Sequence, residues 1–445
     1  MTFLKFHSLL FSLRNASSVA AAQTADSSST SLVTKLTKDN QYSILSDVIT
    51  PLWKIDYKEQ ILLKKKWSKS VLNAIKTKHL PKVKTSLHYV IPSVQITQYR
   101  NKDTFNIHTG IDGNPKTVGY FIGSSAKGEV ICVPPRNLIV LKEAHIEAAK
   151  VFQDLLGKSK LNACYQLNDG GFWRGITVTS NREGDILAVI NAHPAGIPDG
   201  NIDEIKCNLV EHFQENLPAI KSLYIQLCPH TACTRIQAPF IHLSGEQYIY
   251  ETIDRYIFRI SPDSFLLPNV DTIPLLYESI LNFADIDKTF TILDLNCSMG
   301  TFSVFASKYV RGCVGIDISA SAIENAEFNA KNNGVHNCYF VQGNLEKSLK
   351  MVLKEHDSTL NMVAVINASK TGISKELVKI LRRCVQLKRI IYISSKADSV
   401  TSMRSIIDLC HPKFDLSNGY NLTDIQPVDL YPNTNYCDLV MLFKR

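Results

Sequence analysis

The stretch Thr291–Gly300, TILDLNCSMG, running on into TFSVFAS, decides how this chain is read. A short apolar run bounded by a turn reads as a buried strand, and the apolar spacing after Gly300 reads as a helix. About one βαβ unit later, CVGIDIS forms a second strand that ends in Asp317. That order opens a doubly wound α/β sheet, which takes a nucleoside ligand at the carboxyl ends of its strands. The turn holds one glycine, Gly300, where a dinucleotide fingerprint wants three, so it argues against a nicotinamide cofactor. Asp294 at the first strand end and Asp317 at the second suit an adenosyl group. Asp317 would accept from ribose hydroxyls, and the turn would lie against the methionine part of S-adenosylmethionine. Asp317 could merely cap a helix, although strand-end acids in this fold usually meet ribose.

The alternation continues from Tyr256 to the C-terminus. YFVQGN, MVAVIN, RIIYISS and the terminal CDLVMLF read as strands, and a helix is expected from Asp271. SASAIENAEFNAKNNG reads as a helix with Ser319 or Ser321 as N-cap and Gly334 as its stop. Residues 256–445 are therefore expected to form a Rossmann-like sheet with an added hairpin.

Residues 90–255 read as a separate α+β domain. YRNKDTFNIHTG and TVGYFIG are strands joined by the turn IDGNPK, and GEVICV adds another. KEAHIEAAKVFQDLLG is a helix closed by Gly157. FWRGITVTS and DILAVINA form a hairpin across NREG, EIKCNLVEHFQENL is a second helix, and SLYIQLC is a further hairpin strand. Arg100, Asn101 and Lys102 with Phe105 combine cations, an amide and an aromatic ring, a mix that suits RNA stacking and phosphate contact. On the residues alone, an ordinary strand with a snorkelling arginine accounts for them better.

Residues 46–89 read as a basic helical segment, with a helix from Asp47 to Lys78 ended by Pro81. Ile61, Leu62, Val71, Leu72 and Ile75 supply its apolar face. Lys58, Lys64, Lys65, Lys66, Lys69, Lys76 and Lys78 supply a basic one, which fits solvation or a phosphate backbone. Residues 1–45 read as a presequence and a Ser/Thr-rich linker. The first 25 residues hold Lys5, His7 and Arg14 among Phe and Leu, with no acid before Asp26, the composition of a mitochondrial presequence.

The formal charge of +8 fits a polyanionic partner and equally a generic basic surface. No apolar run is long enough to span a membrane. The 11 cysteines are scattered without a CxxC pair, so neither a disulfide framework nor a zinc site is expected, although Cys228 and Cys233 lie close together.

The segments ITPLW, YRNKDTF, DGNPKTVGYFIG, GGFWRGITV, FRISPDSF, LDLNCSMGTF, INASKTGI, IIYISSK and PVDLYPNTNYCDLVMLF occur in this order. Together they carry a resemblance to the RNA 5-methyluridine methyltransferases, most closely the animal mitochondrial tRNA (uracil-5-)-methyltransferase branch. The resemblance runs from about Ile49 to the C-terminus. It implies an S-adenosylmethionine-dependent methyltransferase domain preceded by an α+β RNA-binding domain. The substrate would be tRNA, at the T-loop uridine, or rRNA, and the location the mitochondrial matrix, with no metal or membrane partner. In the chemistry it implies, a thiolate adds to carbon 6 of uracil and so activates carbon 5 for methylation. A carboxylate then removes the carbon 5 proton, and the base must leave its stack to be reached.

Matched onto the family motifs, Ser395 stands at the nucleophilic cysteine and Asp438 at the glutamate base. Leu267 stands at a glutamine near base and cofactor, and Ser298 at the first glycine of the cofactor turn. Asn367-Ala368-Ser369-Lys370 replaces D-P-P-R or N-P-A-R. Leu267, Asp294, Asn296, Gly300, Asp317 and Asn367 are the expected cofactor set. Asp294, Asp317, Asn367, Ser395 and Asp438 should meet at one mouth of the sheet. A serine in the thiol's place also allows a second reading, a catalytically impaired RNA-binding pseudoenzyme. Cys437 should point away from the Asp438 face.

Overall fold

The computed structural model describes residues 33–445 apart from 79, 81–83, 125–127, 168, 195, 356–360, 369–371 and 412–418. The expected presequence, Pro81, Ser369 and Lys370 lie outside the described residues. The chain divides into two compact units, one of residues 33–54 and 97–249, the other of 55–96 and 250–445. The expected 46–89 segment is thus shared between them: α1 (Gln41–Ile49) lies in the first unit, and α2 (Tyr57–Lys78) and β1 (Ser86–Leu87) in the second. The single helix expected over Asp47–Lys78 is interrupted by turns at 50–54, where Pro51 lacks the N–H a helix interior needs. Part of the expected linker is ordered, since Leu36 and Leu45 join the first unit's core.

The first unit carries β2 (Lys102–His108), β3 (Thr117–Ser124), β4 (Glu129–Val133), α3 (Glu143–Lys158), β5 (Trp173–Ser180), β6 (Ile186–Ala192), α4 (Asp199–Asn216), β7 (Ile220–Leu227) and β8 (Phe240–Gly245). Its strands form one sheet in the order β4-β3-β2-β5-β6-β7-β8. The β5–β6 hairpin is as expected. β7 differs: it runs parallel to β6, with α4 as the crossover. A connection long enough for a helix brings the chain back in the same direction, which a tight turn cannot do. Gly157 lies inside α3, whose C-cap is Ser159. Cys228 and Cys233 join in a disulfide, against the expectation of reduced thiols.

The second unit continues with β9 (Ile249–Ile253), β10 (Tyr256–Ile260), α5 (Ile273–Ala284), β11 (Phe290–Leu295), α6 (Thr301–Ala306), β12 (Gly312–Asp317), α7 (Ala320–Asn332), β13 (Cys338–Gln342), α8 (Leu345–Glu355), β14 (Asn361–Asn367), α9 (Lys375–Arg383), β15 (Leu387–Ser394), α10 (Val400–Cys410), β16 (Asn421–Val428) and β17 (Asp438–Lys444). The strand order is β1-β16-β17-β15-β14-β11-β12-β13. Only β17 runs against its neighbours. The order reverses between β11 and β14, so a ligand crevice opens at the carboxyl ends there. Met362–Ile366 of β14 are buried without interruption, as strands of a sheet covered on both faces must be. Val71, Leu72 and Ile75 seat α2 in this core.

Candidate active site

Five strand ends define the site. Asp294, Asp317, Asn367 and Ser395 stand at or just past the carboxyl ends of β11, β12, β14 and β15, and Asp438 opens the antiparallel β17. All five expected groups therefore lie along one edge of the sheet. Ser394 pairs with Leu439 across β15 and β17. Ser395 follows in the turn after β15, at the same end of the sheet as Asp438.

The turn after β11 is tight. Asn296, Ser298 and Gly300 all have positive φ, at 67°, 51° and 77°. Only the glycine does so without steric cost. Hydrogen bonds hold the other two. The Asn296 and Cys297 amides donate to the Ile316 carbonyl at 2.9 and 3.1 Å. The Ser298 amide donates to Asp317 Oδ2 at 3.0 Å, and its hydroxyl to the Phe265 carbonyl at 3.1 Å. Asn296 Nδ2 donates to the Asn367 carbonyl at 3.2 Å. A Cβ on Gly300 would lie 3.0 Å from the Phe340 ring and from Ala326, so no larger residue closes this turn without moving its neighbours.

Asp317 Oδ1 also accepts the Ser319 amide at 3.0 Å. Asp317 is thus a buried acceptor that ties the turn after β11 to the start of α7. Ser319, rather than Ser321, is the N-cap of α7, accepting from the Ala322 amide. Asp294 is buried and accepts the Ser303 hydroxyl at 2.7 Å. Burial pushes its carboxyl up to about 7, opposed by the Ser303 bond and reinforced by Asp317. A cavity of about 40 Å³ opens beside the turn, lined among others by Phe265, Leu267, Asn296, Ser298, Phe302 and Asn367.

Sequence reading missed what holds β10 and Ser261 against α7. Asn325, Asn329 and Asn333 repeat every four residues along α7 and its cap, so they share one face. Asn325 accepts from Arg259 Nε and donates to Ser261 Oγ, both at 2.7 Å. Asn329 accepts the Arg259 amide at 2.7 Å, and Asn333 bonds both backbone groups of Ile257. The signal was present: an amide every fourth residue in a helix needs partners when buried.

At the other end of the mouth, Ser395 is half-buried. Among the described residues no base hydrogen-bonds its hydroxyl. Lys396 places its ammonium 5.4 Å from the Tyr436 ring centre, linking the Ser395 loop to the segment before Asp438. Asp438 is 3% exposed, and burial, with the nearby Asp429 charge, pushes its carboxyl up to about 7. The segment is anchored from α2. Lys64 Nζ donates to Asp429 Oδ1 at 2.6 Å, and the Tyr57 hydroxyl to Oδ2 at 3.0 Å. Gln60 and Asn433 exchange two bonds, at 2.9 and 2.8 Å. Lys64, expected on the basic face, is thus a buried partner of Asp429. Cys437 is wholly buried with its thiol on the Val428 carbonyl, and burial first, then Asp429, raises that thiol far above its ordinary value.

A methyltransferase domain model matches residues 286–411. The mouse tRNA (uracil-5-)-methyltransferase homolog B is 33% identical over 92% of this chain and 87% of its own length. The zebrafish homolog B is 34% identical over 90% of this chain and 86% of its own. The chain belongs to the tRNA (uracil-5-)-methyltransferase family. The fold agrees. A Pyrococcus abyssi tRNA (uracil-54, C5)-methyltransferase, solved with S-adenosyl-L-homocysteine, superposes with a TM-score of 0.62 at 18% identity, covering 87% of this chain and 83% of that one.

Ser395, Asp438, Leu267 and Ser298, the positions singled out from the sequence, belong to the second unit. Of the Arg100 group, which lies in the first unit, Phe105 is not placed to stack on RNA as expected. Phe105 has no exposure and meets Tyr120 edge-on inside the first unit's core, so it has no face to stack on a base. Asn101 is buried. Arg100 Nε pairs with Asp103 at 2.7 Å, and Asp103 also accepts from Tyr120 and bonds His145. Lys102 is half-buried on β2. Among the described residues no cluster could hold a metal ion, and no helix is long and apolar enough to cross a membrane.

Proposed function

We propose that this chain binds S-adenosylmethionine and the T-loop uridine of mitochondrial tRNA, and that Ser395 keeps methyl transfer to carbon 5 far below the rate a thiol would support. The substrate class follows from family membership. The slowed chemistry rests on one observation: a hydroxyl without a base among the described residues stands at the sheet end that also holds Asp438, where conjugate addition to uracil calls for a thiolate.

S-adenosylmethionine would supply an electrophilic methyl group. The donor set fits it. Asp317, an acceptor at the carboxyl end of β12, suits ribose hydroxyls. Asn296 and Asn367 are amides at the switch point, and Phe265, Leu267 and Phe302 give apolar cover. Asp438, raised to about 7, is poised to take a proton from carbon 5 at neutral pH. Ser395 is the weak member. A free thiol is a few per cent ionised at neutral pH, whereas a hydroxyl is not. Among the described residues no other thiol takes its place, since Cys297 and Cys437 are buried and held neutral.

The test is tritium transfer from labelled S-adenosylmethionine to an unmodified mitochondrial tRNA transcript. Ser395→Cys should raise label at carbon 5 by about a hundredfold or more, a barrier drop of about 3 kcal/mol. Wild-type label equal to that of Ser395→Cys would overturn the slowed-chemistry reading. No label from either protein would overturn the retained pocket. The mitochondrial location rests on the composition of the first 25 residues. Residues 1–45 fused to a fluorescent reporter should carry it into mitochondria, and a diffuse reporter would refute the location.

A further inference from the structure

We propose that the outward stripe of α2, together with Tyr89, is a docking surface for the RNA strand flanking the target uridine. This rests on the reading that RNA is the ligand.

The position of α2 comes first. Its inner face grips both loops that carry the reacting groups. Lys64 and Gln60 hold the segment before Asp438 through Asp429 and Asn433. Trp67 Nε1 donates to Asp398 at 3.1 Å, just past Ser395. The helix is therefore a rim of the mouth, and whatever lies on its outer face lies beside the target base.

The outer face has the chemistry of a nucleic-acid contact. Lys58, Lys65 and Lys69 are exposed and share one stripe, spaced by two turns and then one. They span about 16 Å at 1.5 Å per residue, enough to follow several phosphates. Tyr89 is 80% exposed, and the Lys65 ammonium sits 4.7 Å from its ring centre. An exposed aromatic face beside a cation matches how unpaired strands are held: bases stack on rings, and lysines neutralise phosphates.

The strand carrying Tyr89 leads to the same place. β1 runs parallel to β16, and Ile91 bridges Val428, the residue paired with Asp438. The Ile91 carbonyl also accepts the Asp429 amide at 2.9 Å. A base on Tyr89 and phosphates along the lysine stripe would thus lie on the approach to Asp438 and Ser395.

The experiment uses the full chain and a fluorescently labelled unmodified tRNA transcript, titrated by anisotropy between about 50 and 200 mM salt. The triple variant Lys58→Gln, Lys65→Gln, Lys69→Gln should bind more weakly, by about tenfold or more. Its slope of log affinity on log salt should be shallower by about 2 to 3. Tyr89→Ala should weaken binding by about tenfold at unchanged slope, and Tyr89→Phe should bind as wild type does. Lys347→Gln, Lys350→Gln, Lys354→Gln removes the same charge from α8 and should leave both quantities nearly unchanged. Wild-type affinity and slope in the α2 variant would overturn the surface while leaving the function intact. An equal loss in the α8 variant would reduce the effect to net charge and overturn it too. A wild-type chain that does not bind tRNA at all would overturn the proposed function, and this surface with it.

Discussion

In the first unit, His145 bonds Ser180 at 2.8 Å and Asp103 at 2.7 Å, the spacing of a nucleophile, a base and an orienting acid. In the second, Ser395 and Asp438 share one end of the sheet, with no base on the Ser395 hydroxyl among the described residues. Distance alone would pick the wrong cluster as the reactive one. Ser180 and His145 have no exposure, and Asp103 has 1%. No substrate reaches them, and every polar group there is already matched by Arg100, Tyr120 or another member. In the second cluster Ser395 is half-buried, and the acid is held against its preference by burial. A closed network that satisfies itself fixes a fold, whereas an open one with a misfit charge is available for chemistry.

The largest expected effect breaks the closed cluster. Asp103→Asn should cost the first unit about 3–5 kcal/mol, because Arg100 loses its carboxylate while still mostly buried. Urea melts would measure this. In the Ser395→Cys background, methyl transfer per folded molecule should stay the same. A variant that folds normally but transfers methyl more slowly would mean the buried triad takes part in the chemistry.

A somewhat smaller effect, about 3 kcal/mol, is expected from Asp429→Asn, which leaves Lys64 buried without its counter-charge. This variant also sharpens the comparison, because the Asp429 charge helps to raise Asp438. Removing it should move the limb of the pH profile of kcat/KM, measured in Ser395→Cys, below about 7. A limb that stays in place would mean another group sets it.

Much of this contrast was readable beforehand, and the unread part has physical causes. TILDLNCSMG, CVGIDIS and the later strands were legible because strands buried on both faces are continuously apolar. The five groups at the mouth followed from that topology. Arg100 and Phe105 were open to misreading, since period alone does not say which face of a half-buried strand is solvated. Lys64 was misread for a related reason. Its charge suggested solvent, but its partner Asp429 lies 365 residues away in sequence. The α4 crossover between β6 and β7 was missed because a run such as SLYIQLC pairs equally well in either direction. The Cys228–Cys233 disulfide depends on backbone geometry that spacing does not supply.

The smallest of the three effects concerns pH, and here the two clusters should differ in sign. Asp438 titrates near 7 when folded and near the ordinary carboxylate value, about 3.9, when unfolded. Below about pH 4 both states hold the proton, and burial of this group costs nothing. As pH rises toward 7 the unfolded chain gives up its proton first, so stability falls, and above 7 the full cost is present. Asp438→Asn should therefore stabilise the second unit by about 2 kcal/mol at pH 8 and change little at pH 4. The full conversion of such a shift is about 4 kcal/mol, reduced here because the surroundings relax around a buried charge. Asp103 runs the other way. Against burial, Arg100 and His145 hold its carboxyl below the usual range, so its contribution is present above that range and is lost as pH falls through it. The wild-type advantage over Asp103→Asn should shrink toward low pH, while the wild-type handicap against Asp438→Asn should vanish there. Melting temperatures of the two variants against wild type, from pH 4 to 8, would show opposite slopes. Parallel slopes would mean that the open and closed clusters do not differ in how they hold their charge.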